Sequence, residues 1–334
     1  MSGLVGTETI GEHEIIQLIH KRLTVMPNMP VPFGDDVSAA SLSGNEMAVL
    51  KTDMLVAATD VPVGMSLFEA ARKAIVMNIS DFASKGVMPS AVVVALGLPK
   101  TLANKRAVTE LADGMNYGAR EYGTYIIGGD VNETSDLIIS VSLFGTACNA
   151  LMLRSGAKDG DILAVTGLFG KTASGLRLLE GNYKATASLR EILVNAVFRP
   201  NARLREGLAL RGYDYVSSSM DSSDGLASSL HELSKMSKVG FLIDKLPVGS
   251  DVEEFAINNG LDVVDLVFYG GEEYELVLTI RPEKWEEAKM VVETVHGQLI
   301  PIGKAIYDKK VILKLNGIKR DIEPRGWEHF KSQI

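Results

Sequence analysis

SLFEAARKAIVMNISDFASKGVMP, residues 66–89, is the stretch on which the reading of the chain turns. Ser66 followed by Glu69 forms a capping box, which opens a helix by satisfying backbone amides that have no partner in the first turn. Gly86 and Pro89 supply the stop. Between them Leu67, Ala71, Ala74, Ile75, Phe82 and Ala83 recur at helical spacing, and Val76, Met77 and Ile79 extend the apolar surface around most of the helix. Such a helix is expected to be buried on more than one side. Asn78 and Asp81 share a face within it. A buried carboxylate is costly unless it is paired or holds a metal. Asp81 is therefore either a metal ligand or the ion-pair partner of Lys85 one turn on, and the helix alone leaves both readings open.

On the N-terminal side, residues 1–9 are small and polar, and little order is expected there. Residues 12–23 carry a helical stripe through Ile15, Ile16, Leu18, Ile19 and Leu23, and a loop follows with Gly34, Asp35 and Asp36 at its end. EMAVLKTDMLV (46–56) alternates as a strand does, delivering Lys51, Thr52 and Asp53 at its end. On the C-terminal side, AVVVALGL (91–98) reads as a buried strand, residues 101–122 as a helix, and TYIIGGDVNET (124–134) as a short strand running into Gly128-Gly129-Asp130. LIISVSLFGTA (137–147) is a further strand. This mixture predicts an α/β unit.

The second half repeats the mixture. A strand at 162–165 leads into GLFGKT (167–172), which is not a P-loop, because Val165 stands where the first glycine is required. FRPNARLREGLALR (198–211) predicts a helix, YVSSSM (215–220) a strand, and DSSDG (221–225) the strand-to-helix junction after it. A helix at 261–269 leads into GGEEYE (270–275), and a strand at 276–280, a helix at 282–296 and strands near 298–303 and 311–315 complete the unit.

With 334 residues the chain has room for one or two domains, each with a real core. A net charge of −8 argues against a nucleic-acid scaffold built on phosphate contacts. Its one cysteine, Cys148, rules out an intrachain disulfide framework or a cysteine-rich zinc site. The segment MSGLVGTETIGEHE lacks the basic start and apolar core of a signal peptide, and no stretch approaches a bilayer span, so a cytoplasmic protein is expected. The five histidines form no H-E-x-x-H pair and read as structural or surface residues.

Acidic residues recur where elements end. Asp36, Asp53, Asp81 and Asp130 could converge, although each alone could be a turn former, a cap or a surface charge. Gly-Gly-Asp after an apolar strand is a stronger hint, since glycine lets the backbone approach a phosphate closely. Asp221 and Asp224 flank two serines in a setting that suits phosphate or metal, or equally a helix cap through Ser222, Ser223 or Asp224.

Taken together, GDD (34–36), TDMLV (52–56), NISDFASKG (78–86), IIGGD (126–130), RSGAKDGD (154–161), VTGLFGKTASGL (165–176), DSSDGL (221–226) and GGEEYEL (270–276) resemble the thiamine-monophosphate kinases, of the superfamily that includes aminoimidazole ribonucleotide synthetase. The motifs occur in the family's order over nearly the whole chain. The resemblance implies a two-domain α/β (α+β) fold of mixed sheets flanked by helices. Residues 1–149 would carry most of the aspartates and the dimer interface, and residues 150–334 would complete the ATP and substrate sites. It implies a cytoplasmic homodimer that uses ATP and several Mg²⁺ ions to phosphorylate thiamine monophosphate, with no nucleic-acid or membrane partner. By position, Asp36, Thr52, Asp53, Asp81, Asp130, Asp221 and Asp224 match the metal set, and Gly129, Asp130, Arg154 and Ser223 the nucleotide contacts. Glu272 and Trp327 match substrate contacts, as does position 60, occupied here by Asp60; Asp130, Asp221 and Arg154 would carry catalysis. Two carboxylates about 6 Å apart repel by roughly 3 kcal/mol at an effective dielectric near 20. Converging aspartates therefore call for cations, and oxygen ligands with phosphate partners select Mg²⁺ over zinc.

Three positions depart from the family pattern: Lys51 replaces a Ser or Thr, Asp60 a histidine, and Glu273 the Asp of GGEDYEL. Lys51 bears on the number of metal ions, and Asp60 on the substrate contact. Selenophosphate synthetase and the hydrogenase-maturation dehydratase are rival readings, but no cysteine precedes Cys148 and the segment KSQI (331–334) has none. A nucleotide-sensing dimer with a decayed acceptor site is a rival of another class, opposed by the retained aspartates.

Overall fold

The computed structural model describes residues 10–148 and 150–330. The expectations for residues 1–9 and for Asn149, the last residue of the predicted first domain, lie outside the described residues. The first half runs α1 (Glu12–His20), β1 (Ser38–Ser41), β2 (Met47–Val56), α2 (Ala57–Asp60), α3 (Leu67–Lys85), β3 (Pro89–Leu98), α4 (Lys105–Glu121), β4 (Ile126–Glu133) and β5 (Ile138–Ala147). Its strands form one sheet in the order β1-β2-β5-β3-β4, antiparallel except where β4 lies parallel to β3. The second half adds β6 (Ile162–Val165), α5 (Lys171–Glu180), α6 (Ala187–Phe198), α7 (Leu204–Leu210), β7 (Val216–Asp221), α8 (Leu226–Ser237), β8 (Gly240–Ile243), α9 (Ser250–Asn259) and α10 (Val263–Tyr269). It closes with β9 (Leu276–Ile280), α11 (Trp285–Glu293), β10 (Ile300–Ile306), β11 (Val311–Leu315) and β12 (Ile318–Asp321). The second sheet has the order β12-β11-β8-β10-β6-β9-β7. No helix among the described residues is long and apolar enough to cross a membrane.

Helix α3 holds the two halves together. The amide of Glu69 donates to Ser66 Oγ at 3.2 Å, and the amide of Ser66 donates to Glu69 Oε2 at 3.0 Å, so both arms of the capping box form. Gly86 ends the helix with φ +67°, a conformation that costs glycine nothing. In between, α3 packs against β2 and β5 on one flank, α4 on another, and α7 and β7 of the second half. Two glycines permit the closest approaches. A Cβ on Gly114 of α4 would stand 2.2 Å from the Phe68 carbonyl oxygen, and one on Gly207 of α7 would stand 1.9 Å from that of Ala83. One apolar core accordingly runs from Val49, Ile75 and Val141 through to Leu276 and Val292.

Several boundaries differ from expectation for local reasons. Strand β2 continues to Val56, which leaves Lys51, Thr52 and Asp53 in mid-strand. The predicted helix at 101–122 starts at Lys105, capped by Asn104, whose side chain accepts from the amide of Ala107. Residues 198–211 are not one helix: α6 ends at Phe198 and α7 begins at Leu204, with Pro200 between them. Gly128, Gly129 and Asp130 belong to β4 rather than to a turn after it.

Candidate active site

The polar residues of α3 set up the site. Asp81, Ser80, Ser84 and Lys85 are buried on a helix that has no solvent-facing side there, so each needs a partner. Lys85 does not pair with Asp81. Its ammonium lies 2.7 Å from Asp35 Oδ1, 2.7 Å from Asp36 Oδ2 and 2.7 Å from the Ser219 carbonyl oxygen, which uses all three donors. Asp81 instead lies against Lys51 of β2, at 3.1 Å from Oδ2, and the same ammonium is 3.2 Å from Asp53 Oδ1. The amide of Asp53 donates to Asn78 Oδ1 at 2.9 Å, which fixes the strand against the helix.

Asp36 is the best-compensated carboxylate. Arg154 donates to Oδ1 through Nε at 2.7 Å and also through Nη2, while Ser84 Oγ donates to Oδ2 at 2.7 Å. Burial pushes its pKa up, but the charges of Lys85 and Arg154 overcome that and hold it well below the usual carboxylate range. Asp221, at the end of β7, receives Ser80 Oγ at 2.6 Å. Burial, reinforced by the Asp36 charge, raises the Asp221 carboxyl to about 7. Burial also raises Asp81, with Lys51 opposing and Asp221 adding to the rise. Carboxylate oxygens of Asp36, Asp81 and Asp221 all lie within 4.8 Å of one another. The donor set is entirely hard oxygen; Asp81 shares the single Lys51 ammonium with Asp53, and among the described residues Asp221 has no ion-pair partner. It fits Mg²⁺.

The DSSDG and GGEEYEL segments are laced together beside this group. The Glu272 amide donates to the Ser223 carbonyl at 2.6 Å, and the Tyr274 amide to that of Ser222 at 3.0 Å. Both donors sit at positive φ, +65° for Glu272 and +52° for Tyr274, a strained backbone held by these bonds. Trp327 reaches the same loop, its amide donating to the Asp224 carbonyl at 3.1 Å. Burial lifts the Asp224 carboxyl to about 6. Lys73 of α3 pairs with Glu272 Oε1 at 2.5 Å and donates to the Asp60 carbonyl oxygen at 2.9 Å. The Asp60 carboxylate accepts the Val56 amide at 2.7 Å and so closes the short helix α2.

Other expected residues stand apart from the buried trio. Thr52 alternates to the sheet face opposite Lys51 and Asp53, where its hydroxyl donates to the Val141 carbonyl at 3.1 Å. Asp130 is exposed on the edge strand β4, in register with Ala95. A Cβ on Gly129 would lie 1.8 Å from the Val94 carbonyl oxygen, so strand pairing alone demands that glycine. Asp35 and Lys73 escaped the sequence reading. GDD makes Asp35 visible beside Asp36, and a lysine inside an all-round apolar helix is a signal that Lys73 has a buried partner.

The family model for the N-terminal domain of AIR-synthase-related proteins matches residues 34–147. The chain is 36% identical to the thiamine-monophosphate kinase of Nitrosopumilus maritimus (strain SCM1), over 96% of this chain and 99% of that one. It is 34% identical to the thiamine-monophosphate kinase of Pyrococcus horikoshii, over 89% and 91% of the two. The solved structure of AaThiL complexed with AMPPCP and TMP superposes with a TM-score of 0.82 at 27% identity, covering 96% of this chain and 97% of that one.

Proposed function

The chain belongs to the thiamine-monophosphate kinase family, and from that premise we propose how its own residues perform the reaction. The protein transfers the γ-phosphoryl group of ATP to thiamine monophosphate, giving thiamine diphosphate and ADP. An oxygen of the acceptor phosphate forms the new bond to phosphorus as the bond to the β–γ bridging oxygen breaks and its electrons leave with ADP. The acceptor phosphate is already ionised near neutral pH, so no general base is needed, and catalysis rests on positioning and charge neutralisation.

The observation that carries the assignment of roles is the buried trio Asp36, Asp81 and Asp221. These residues would hold Mg²⁺, with Asp53 and Asp224 beside them; Asp130 and Thr52 match the family set by position but stand apart from this trio. When bound, Mg²⁺ neutralises phosphate oxygens and the charge that develops on them during transfer. Arg154, anchored on Asp36 and donating to the Gly34 carbonyl at 3.0 Å, adds a fixed cation at the nucleotide phosphates. Gly129, Asp130 and Ser223 line the nucleotide. Glu272 and Trp327, tied to the loop that bears Ser223 and Asp224, face thiamine monophosphate, and Asp60 borders it through Lys73. With the chain divided into residues 1–149 and 150–334, the site we propose lies at the seam along α3.

We further assign the homodimer to the open face of the first sheet. Leu50, Met54, Val93 and Phe144 are exposed there, an apolar surface of the kind that marks an interface. The cytoplasm, where ATP is at hand, is the compartment we assign.

The test is a direct assay with ATP, Mg²⁺ and thiamine monophosphate that follows thiamine diphosphate by chromatography, with thiamine as control acceptor. Product from the monophosphate alone, lost on adding EDTA, is the expected result. Product without a divalent ion would overturn the Mg²⁺ assignment.

A further inference from the structure

We propose that the Lys51 ammonium is a built-in cation of the phosphoryl-transfer site, filling the position between Asp53 and Asp81 that a divalent ion would otherwise take. The inference rests on the reading that this site holds divalent ions together with ATP. Lys51 lies in mid β2, and its side chain shares the helix-facing side of the strand with Val49, Asp53 and Leu55. Its nitrogen bridges two carboxylates from different elements, at 3.2 Å from Asp53 and 3.1 Å from Asp81, with only 19% of the side chain exposed. Both carboxylates are assigned metal ligands. An ammonium that touches one oxygen of each uses the coordination sites that a bridging ion needs.

The charge count agrees. Asp35, Asp36, Asp53, Asp81 and Asp221 are linked to one another through Lys51 and Lys85 or by the closeness of their oxygens, and Arg154 pairs with Asp36. Five carboxylates against three cations leave two negative charges, which one divalent ion matches. Lys85 plays the corresponding role on the far side, between Asp35 and Asp36. The trio Asp36, Asp81 and Asp221 is then left for an ion between these two fixed ammonium groups. With a short neutral residue at position 51, the pair Asp53 and Asp81 would have room and charge for another ion.

The experiment counts Mn²⁺ ions bound per chain by equilibrium dialysis, with a saturating non-hydrolysable ATP analogue, in the wild type, Lys51→Ser and Lys51→Arg. Lys51→Ser should bind one ion more than the wild type, and Lys51→Arg the same number as the wild type. Without nucleotide, Mg²⁺ should also raise the melting temperature of Lys51→Ser more than that of the wild type. Equal ion counts in the wild type and Lys51→Ser overturn the inference. Should Lys51→Ser fail to fold, Lys51→Gln is counted in its place: one extra ion supports the inference and an equal count overturns it. Failure of the underlying reading looks different, because the wild type itself would then bind no Mn²⁺ with the nucleotide.

Discussion

Glu273 Oε1 accepts the amide of Gly170 at 2.7 Å and that of Thr172 at 3.1 Å, at the start of α5, where a P-loop would cradle phosphate. The glycine turn of GLFGKT is thus filled by the protein's own carboxylate. Burial outweighs those hydrogen bonds and raises the Glu273 carboxyl to about 7. A folded-state pKa above the unfolded one means that the folded protein binds the proton more tightly. Stability then falls as pH rises from about 4.5 to about 7 and levels off above. Denaturation of Glu273→Gln and wild type across this range should show the variant gaining relative stability with pH, by up to about 3 kcal/mol. A constant gap would mean that Glu273 takes up no proton on folding. At Asp221 and Asp130, replacement by Asn should abolish turnover while leaving circular dichroism unchanged; retention of most activity would remove that residue from the catalytic set. Asp36, Asp81 and Asp221 were legible because each lies in a short acidic motif: GDD, NISDFASKG and DSSDGL. Which lysine meets which acid was not, since Lys85 pairs with Asp35 and Asp36, which precede β2 and α3, rather than with Asp81 one turn away, and no local spacing encodes that.

Helix α3 was the most legible element, because its caps and its apolar girth are both local properties. Strand β4 was less so: its glycines read as the end of a short strand and an approach to phosphate, whereas pairing with β3 requires that Gly129 have no side chain. Helix α7 was misjudged in length because its boundary depends on Pro200, whose carbonyl is held by Arg72 Nη1 at 2.7 Å, a contact between distant segments. The tight crossing of α7 over α3 gives the prediction at this scale. Gly207→Ala would drive a methyl into the Ala83 backbone oxygen, which cannot swing aside as a side chain can. The expected loss is about 2–4 kcal/mol, read from urea unfolding. Unchanged stability would mean that the two helices are freer to separate than their packing indicates.

For the whole molecule, the mixed α/β character of both halves followed from the order of elements, but an interface has no such signature. Exposure of Leu50, Met54, Val93 and Phe144 on one sheet face emerges only once the strands are in register. If the proposed dimer forms through this face, the wild type should sediment as a dimer and Val93→Asp as a folded monomer; a dimer that persists in Val93→Asp would put the interface elsewhere, and a monomeric wild type would remove the dimer. The seam along α3 also bears on synthesis. Ser80 and Lys85 leave the ribosome 141 and 134 residues before Asp221 and Ser219, a delay on the order of ten seconds at usual elongation rates. Throughout that interval one flank of a largely apolar helix lacks the strand that will cover it. On that flank Ser80 and Lys85 are the polar groups that wait for β7. Ribosomes stalled near residue 200 should therefore present α3 to a protease, and ribosomes stalled after β12 has emerged should not.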